Sequence, residues 1–209
     1  MDDAARAKLE ADLRSLCARG DLDGAATLVV RGYGPELFGF LLAVHGNEVD
    51  AGDSFSDLAE AVWRALPRFA WESTARTWAY AIARNVMRVR KRDAVRRRRR
   101  VVNGASSLEG VVQQVRTETL SFLRTEKRTR ITALRDALSE EDRMLLVLRV
   151  DRGLAWSDIA RALGGEVDSD EDADATTVAK DAARLRKRYQ AVKDRLRAAA
   201  RREGLLPDR

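Results

Sequence analysis

Apolar side chains recur along this chain every three to four residues. No good alternating pattern bounded by hairpin turns is present, so the sequence predicts an all-α fold. A short helix is expected over 4–18. Residues 21–46 read as two helical stretches around a Gly34-Pro35 break. Residues 53–66 carry a stripe of Phe55, Leu58, Ala59, Val62, Trp63 and Leu66, and Pro67 ends it. Another helix is expected over 74–92, with Trp78, Ala81, Ile82, Asn85 and Val86 along one side. Periodicity weakens over 101–127, where Asn103-Gly104-Ala105-Ser106-Ser107 is a loop signal; this part reads as a partly helical linker.

Strong periodicity returns over 128–163. Ser139 with Asp142 makes an N-cap pattern before Met144-Leu145-Leu146-Val147-Leu148, and Gly153 ends that helix. A short helix from Trp156 to Leu163 stops at Gly164-Gly165. The last helix, over about 175–202, has an apolar stripe of Val178, Ala182, Leu185, Tyr189, Val192 and Leu196. The pattern divides the chain into an N-terminal helix (1–20), a helical domain (21–98), a linker (99–127) and a second helical domain (128–205) with an insertion at 164–175.

Charge adds a partner class. Charged residues make up 34% of the 209, the balance is +6 and the pI is near 9.9, which suits nucleic acid or, more simply, a solvated charge-rich surface. Between Arg84 and Arg100 there are ten Lys or Arg against one acid, Asp93. Such density repels itself unless something anionic lies opposite. By contrast, 166–174 holds six acids in nine residues and should be a loop. It is a solvated spacer, or it competes with DNA for the basic helix that follows.

With one cysteine, Cys17, no intrachain disulfide can form. One Cys and one His do not make a structural zinc site, and no cofactor or metal is expected. No apolar run approaches the roughly 20 residues of a membrane span, and the acidic start lacks a signal-peptide layout, so no membrane is involved and the expected compartment is the cytoplasm.

Two constellations point to DNA. The C-terminal order of helix, glycine turn, short helix, loop and basic amphipathic helix suits a helix-turn-helix, which sets its last helix in the major groove. A plain bundle with a wet basic face is the alternative. In the first half, Phe69, Trp71, Trp78 and Tyr80 precede the arginine-rich run. Aromatics beside a basic track suit opened or single-stranded DNA, unless Trp78 is core.

Two stretches resemble sigma factors of the extracytoplasmic-function class. The first is DAGDSFSDLAEAVWRALPRF followed by STARTWAYAIARN, similar to D-A-E-D-L-V-Q-E-V-F-x-x-x-W and F-x-x-x-S-x-x-R-T-W-L-x-x-I-A-x-N. The second is LSEEDRMLLVLRVDRGLAWSDIARALG, similar to L-x-x-x-x-R-x-x-L-L-R-x-x-x-G-L-S-Y-x-E-I-A-x-x-L-G. Together they cover most of 20–98 and 128–200. The resemblance implies a non-enzymatic subunit that binds core RNA polymerase and directs promoter recognition. Asp50, Asp53, Asp57 and Trp63 would meet the beta-prime coiled coil of the core. Phe69, Ser73, Thr74, Trp78, Arg84, Asn85 and Arg88 would capture and melt the minus-ten element, including one flipped base. Arg184, Arg186, Lys187, Arg188 and Lys193 would face the minus-thirty-five element. Many relatives are held by an anti-sigma protein, a further candidate partner.

The departures are specific. Gly52 stands where the family has an acid, Ser56 replaces Gln and Ala59 replaces Phe, which implies a weaker or redistributed polymerase contact. Ala155 replaces a Ser cap and Trp156 a Tyr. The turn before the recognition helix is far longer than the family's, which leaves two registers. Thr177-Val178 can align with the family's T-V, putting Asp181 near phosphate; alternatively Arg186-Lys187-Arg188 aligns with K-S-R, the register preferred on charge. A helix-turn-helix regulator that never touches polymerase is the alternative function. A nucleic-acid enzyme has little support: phosphate-loop and nucleophile-elbow motifs are absent, and His45 beside Gly46 reads as a helix cap.

Overall fold

The computed structural model describes residues 1–93, 106–124, 130–164 and 175–206. The arginine run after Asp93 and the acidic segment 166–174 lie outside them. Among the described residues the regular elements are all helices, with no strand: α1 (Asp3–Ala18), α2 (Leu22–His45), α3 (Glu48–Ala65), α4 (Ala75–Asp93), α5 (Ser106–Arg124), α6 (Arg130–Asp136), α7 (Glu140–Leu146), α8 (Trp156–Gly164) and α9 (Ala175–Arg202). The all-α expectation holds.

Side-chain caps explain where helices start. Asp2, Asp21, Asn47 and Ser139 each accept a backbone N–H in the first turn of α1, α2, α3 and α7. Asn47 starts α3 well before the predicted 53. Gly46 closes α2 in the left-handed region at φ 74°. His45 is therefore not the cap; its Nε2 lies 2.9 Å from Ser54 Oγ.

The predicted break at Gly34-Pro35 does not occur, because α2 runs straight through it with Pro35 inside. An interior proline costs about 3 kcal/mol. Here it sits on the exposed side, while Tyr33, Gly34, Leu37 and Phe38 on both sides of it are buried. Burying a large apolar side chain contributes about 1.5–3 kcal/mol, so several outweigh one proline. α2 is long and apolar enough to cross a membrane, but its apolar side chains form the centre of this core.

The predicted linker contains a docked helix. α5 lays Leu108, Val111, Val112 and Val115 against α2 and α3. Gly34 permits this approach, since a Cβ there would meet Val115 Cγ1 at 3.0 Å and the Phe55 ring at 3.2 Å. On α3, a Cβ at Gly52 would collide with the Arg116 guanidinium. The glycine that replaces the family's acid thus lies under α5.

The C-terminal helices pack on the N-terminal ones. α8 lies against α4, and α7 against α2. One set of buried side chains runs without a gap from Leu13 in α1 to Leu185 in α9. Polar ties reinforce it: Arg143 Nη1 donates to the Val44 carbonyl at 2.7 Å, Arg76 Nη2 to the Arg152 carbonyl at 3.0 Å, and Lys91 pairs with Glu140 at 3.2 Å. Arg76 also makes a two-pronged pair with Glu36, at 2.7 and 2.9 Å.

Candidate promoter and polymerase interfaces

Asp53 and Asp57 share one face of α3, four residues apart. Both are held by one cation, Arg90 of α4, whose Nη2 donates to Asp53 at 2.8 Å and whose Nη1 donates to Asp57. Asp53 stays more than half exposed, so a partner can still reach it. Asp50 is exposed but belongs to the start of α3, where its backbone N–H and carboxylate both bond the Asn47 side chain. Trp63 is 42% exposed, and its indole N–H donates to Asp23 at 2.7 Å. The four residues expected for polymerase therefore lie on one helix, but only Asp53 and Asp57 share a clasp.

The segment 69–74 joins a 3-10 turn (Leu66–Arg68) to α4. Phe69 stacks on Trp78 with ring centres 4.6 Å apart and also packs on Trp71 at 4.6 Å. Trp71 has φ 63°, the only described non-glycine residue with positive φ. For a bulky side chain that conformation is strained and is kept only where its surroundings hold it. Thr74 is the cap of α4: its Oγ1 accepts the Thr77 N–H at 3.1 Å. Ser73 donates to the Thr74 carbonyl at 3.2 Å. At about 100° per residue, Trp78, Asn85 and Arg88 fall on one half-buried face of α4, with Arg84 at its edge. Of the expected minus-ten residues, Phe69 touches Trp78 and Ser73 touches Thr74, while Asn85 and Arg88 lie two to three turns further along α4. Trp78 is only partly core.

Sequence reasoning placed the helix α1 but gave its side chains no part in the site. Glu10 accepts the backbone N–H groups of Ala75 at 3.0 Å and Arg76 at 3.2 Å, so it caps α4 from another helix. It also accepts the Tyr33 hydroxyl at 2.6 Å; burial, then Glu10, push the ionisation of Tyr33 far upward. Arg14, one turn later, lies 4.3 Å over the Trp71 ring. Four-residue spacing marks Glu10 and Arg14 as one face of α1, but nothing local says what that face meets.

In the C-terminal part, the five basic residues expected at DNA do not share a face. Arg184 and Arg188 lie on the flank towards α7, Lys187 points away from the core, and Arg186 and Lys193 lie on the other flank. Arg186 stands 5.6 Å over the Trp156 ring and Lys193 5.3 Å over Tyr189. Arg188 turns inward, to Asp142 at 2.7 Å and Glu141 at 2.7 Å. α9 begins at Ala175 and buries Val178, Ala182 and Leu185, so Arg186-Lys187-Arg188 lie about three turns inside the helix. A helix-turn-helix reads bases with the first turns of its second helix. Those turns carry Thr176, Thr177 and Lys180, as the Thr177-Val178 register implies. Two of the basic residues of α9, Arg188 and Arg195, pair with Asp142.

Asp142 is 3% exposed. Burial by itself pushes its carboxyl up, but hydrogen bonds from Arg188, Arg195 and Ser139 prevail and hold it below the ordinary aspartate value. A depressed value means the group stabilises the fold above about pH 4, and that stability is lost as pH falls through the folded value. Asp142→Asn is expected to cost roughly 1.5–3 kcal/mol at neutral pH, the worth of hydrogen bonds to a charge. Its melting temperature should also fall less steeply than the parent's below pH 4. Parallel pH curves would contradict this.

Residues 29–101 match the family model of sigma-70 region 2. The match covers about a third of the sequence, from the middle of α2 through α4, and includes both the Asp53–Asp57 face and the Trp78–Asn85–Arg88 face. It supports a place in the sigma-70 superfamily. No curated protein matches the chain. Region 2 excludes α1, so Glu10 and Arg14 reach the 69–74 loop from outside the matched segment.

Proposed function

We propose that the chain is a cytoplasmic sigma factor of the extracytoplasmic-function class, which binds core RNA polymerase and directs it to promoters. The observation that carries the reading is the region 2 match together with its layout: an acidic face on α3, and an aromatic and basic face on α4. The first suits a basic partner surface, the second an opened strand whose bases stack on rings while phosphates meet Arg84 and Arg88. In this reading region 2 spans 21–98, 99–127 is the linker, and 128–205 reads the minus-thirty-five element. An anti-sigma protein would compete for these surfaces.

The packed arrangement has a consequence under this reading. Elements 25 base pairs apart lie about 85 Å apart at ~3.4 Å per pair. A compact chain of this length has a radius of gyration of only ~17 Å. The contacts of α7 and α8 with α2 and α4 would therefore open when both elements are engaged.

The test is transcription with reconstituted polymerase on a genomic library, followed by permanganate footprinting of the opened strand. Asn85→Ala should reduce strand opening about tenfold, the loss of one contact of roughly 1–3 kcal/mol, while leaving core binding unchanged. Normal opening in that variant would count against the assigned face. Polymerase-independent DNA binding with no affinity for the core would favour the helix-turn-helix regulator.

A further inference from the structure

A pocket of about 420 Å³ opens between α1 and the 69–74 loop. Its walls include Cys17 from α1, Leu66 and Pro67 from the 3-10 turn, and the rings of Phe69 and Trp71; Arg14 stands at its side. Burial pushes the Cys17 thiol up, so this wall is neutral. The pocket is continuous with the region 2 face, because Phe69 is at once its wall and the ring stacked on Trp78.

Three features show a site built to hold something flat. Trp71 is kept at positive φ, and strain of this kind gathers where a clamp is preformed. Its ring packs on Phe69 with centres 4.6 Å apart, and the Arg14 guanidinium lies 4.3 Å from its centre. Arg14 is exposed and makes no hydrogen bond or ion pair among the described residues. Stacking fixes the plane of its guanidinium but uses none of its five N–H donors. An oriented guanidinium with free donors beside an aromatic wall matches an unstacked nucleobase, which offers a ring face and an edge of acceptors together.

We propose that Arg14 selects the base that enters this pocket, by donating two hydrogen bonds to neighbouring acceptors on one edge. Guanine offers O6 and N7, and a cytosine freed from its pair offers O2 and N3. Adenine sets its amino donor beside N1 and N7 and leaves N3 without a neighbouring acceptor on the same edge, and thymine sets an N–H between its two carbonyls. The preference is therefore for guanine or cytosine at one position of the opened strand. This rests on the region 2 reading above and extends it to α1, outside the matched segment.

Core polymerase carrying the full chain is incubated with single-stranded oligonucleotides randomised over six positions, and the bound molecules are sequenced. One position should be enriched in guanine or cytosine. Arg14→Ala and Arg14→Lys should each reduce that preference by about five- to a hundredfold, with the other positions unchanged. Lysine keeps the charge and loses the fork, so it separates base reading from simple attraction. Both variants should melt as the parent does, since Arg14 is exposed. An unchanged profile in Arg14→Ala would overturn the proposal. So would equal loss at every position, or enrichment of adenine or thymine at the position Arg14 controls. If the parent complex enriches nothing, the sigma-factor reading falls first; if it enriches a sequence that Arg14 does not affect, only the role of Arg14 falls.

Discussion

Glu36→Leu is expected to lower the unfolding free energy by about 3–5 kcal/mol, the loss typical when one partner of a buried ion pair is removed. Arg76 is 9% exposed, and Glu36 takes two of its donors. Leucine would fill the space and leave the guanidinium out of water with the Arg152 carbonyl and the Tyr80 ring, 5.9 Å away, but no carboxylate to balance its charge. Charge removal from both sides is a different matter. Glu36→Leu with Arg76→Leu should recover most of the loss, because an apolar pair of similar volume needs no desolvation of charge. Urea unfolding followed by tryptophan fluorescence measures both variants. A loss below about 1 kcal/mol for Glu36→Leu alone would show that the pair does not hold the fold. Because Arg76 also reaches Arg152, the single variant should loosen the contact between the two halves, giving a broader transition with a lower m-value.

Asp53→Asn with Asp57→Asn is expected to weaken binding to core polymerase about ten- to a hundredfold at low salt, with the difference shrinking as salt rises. Asparagine keeps the shape of the acids and removes only charge. The Arg90 clasp makes lysine a poor choice, since two lysines would face Arg90 and disturb α3 and α4 directly. Arg90→Gln supplies the control. It frees both carboxylates, so polymerase binding should hold or tighten in that variant while region 2 loses some stability. Unchanged core affinity in the double asparagine variant would remove Asp53 and Asp57 from the interface. Weakened binding in Arg90→Gln would mean that the clasp itself, rather than the free acids, is what the partner meets.

Much of the architecture was legible in the sequence because helices are local. A stripe of period 3.6, a cap residue and a stop glycine act within a few residues of one another, so Ser139, Gly153 and the span of α9 could be placed without knowing any neighbour. The region 2 motifs were legible for the same reason: Asp53 and Asp57, or Trp78 and Asn85, share a face by spacing alone.

What the tertiary structure decided depends on pairs distant in sequence. Pro35 lies within an unbroken helix because buried neighbours on both sides outweigh its local cost. Gly52 replaces an acid where α5 crosses α3, and the linker pattern gave no sign of that crossing. Arg188 reads in the sequence as one more basic residue of α9, and only the fold pairs it with Asp142, 46 residues earlier. Glu10 caps a helix 65 residues away, and Arg14 lies over Trp71 only because α1 folds back on the loop. A charged side chain reports its charge in the sequence and its partner only in the fold. Long-range packing chooses among helix faces that look alike in isolation, and it is that choice which set Arg188 against a buried carboxylate and Arg14 against an aromatic ring.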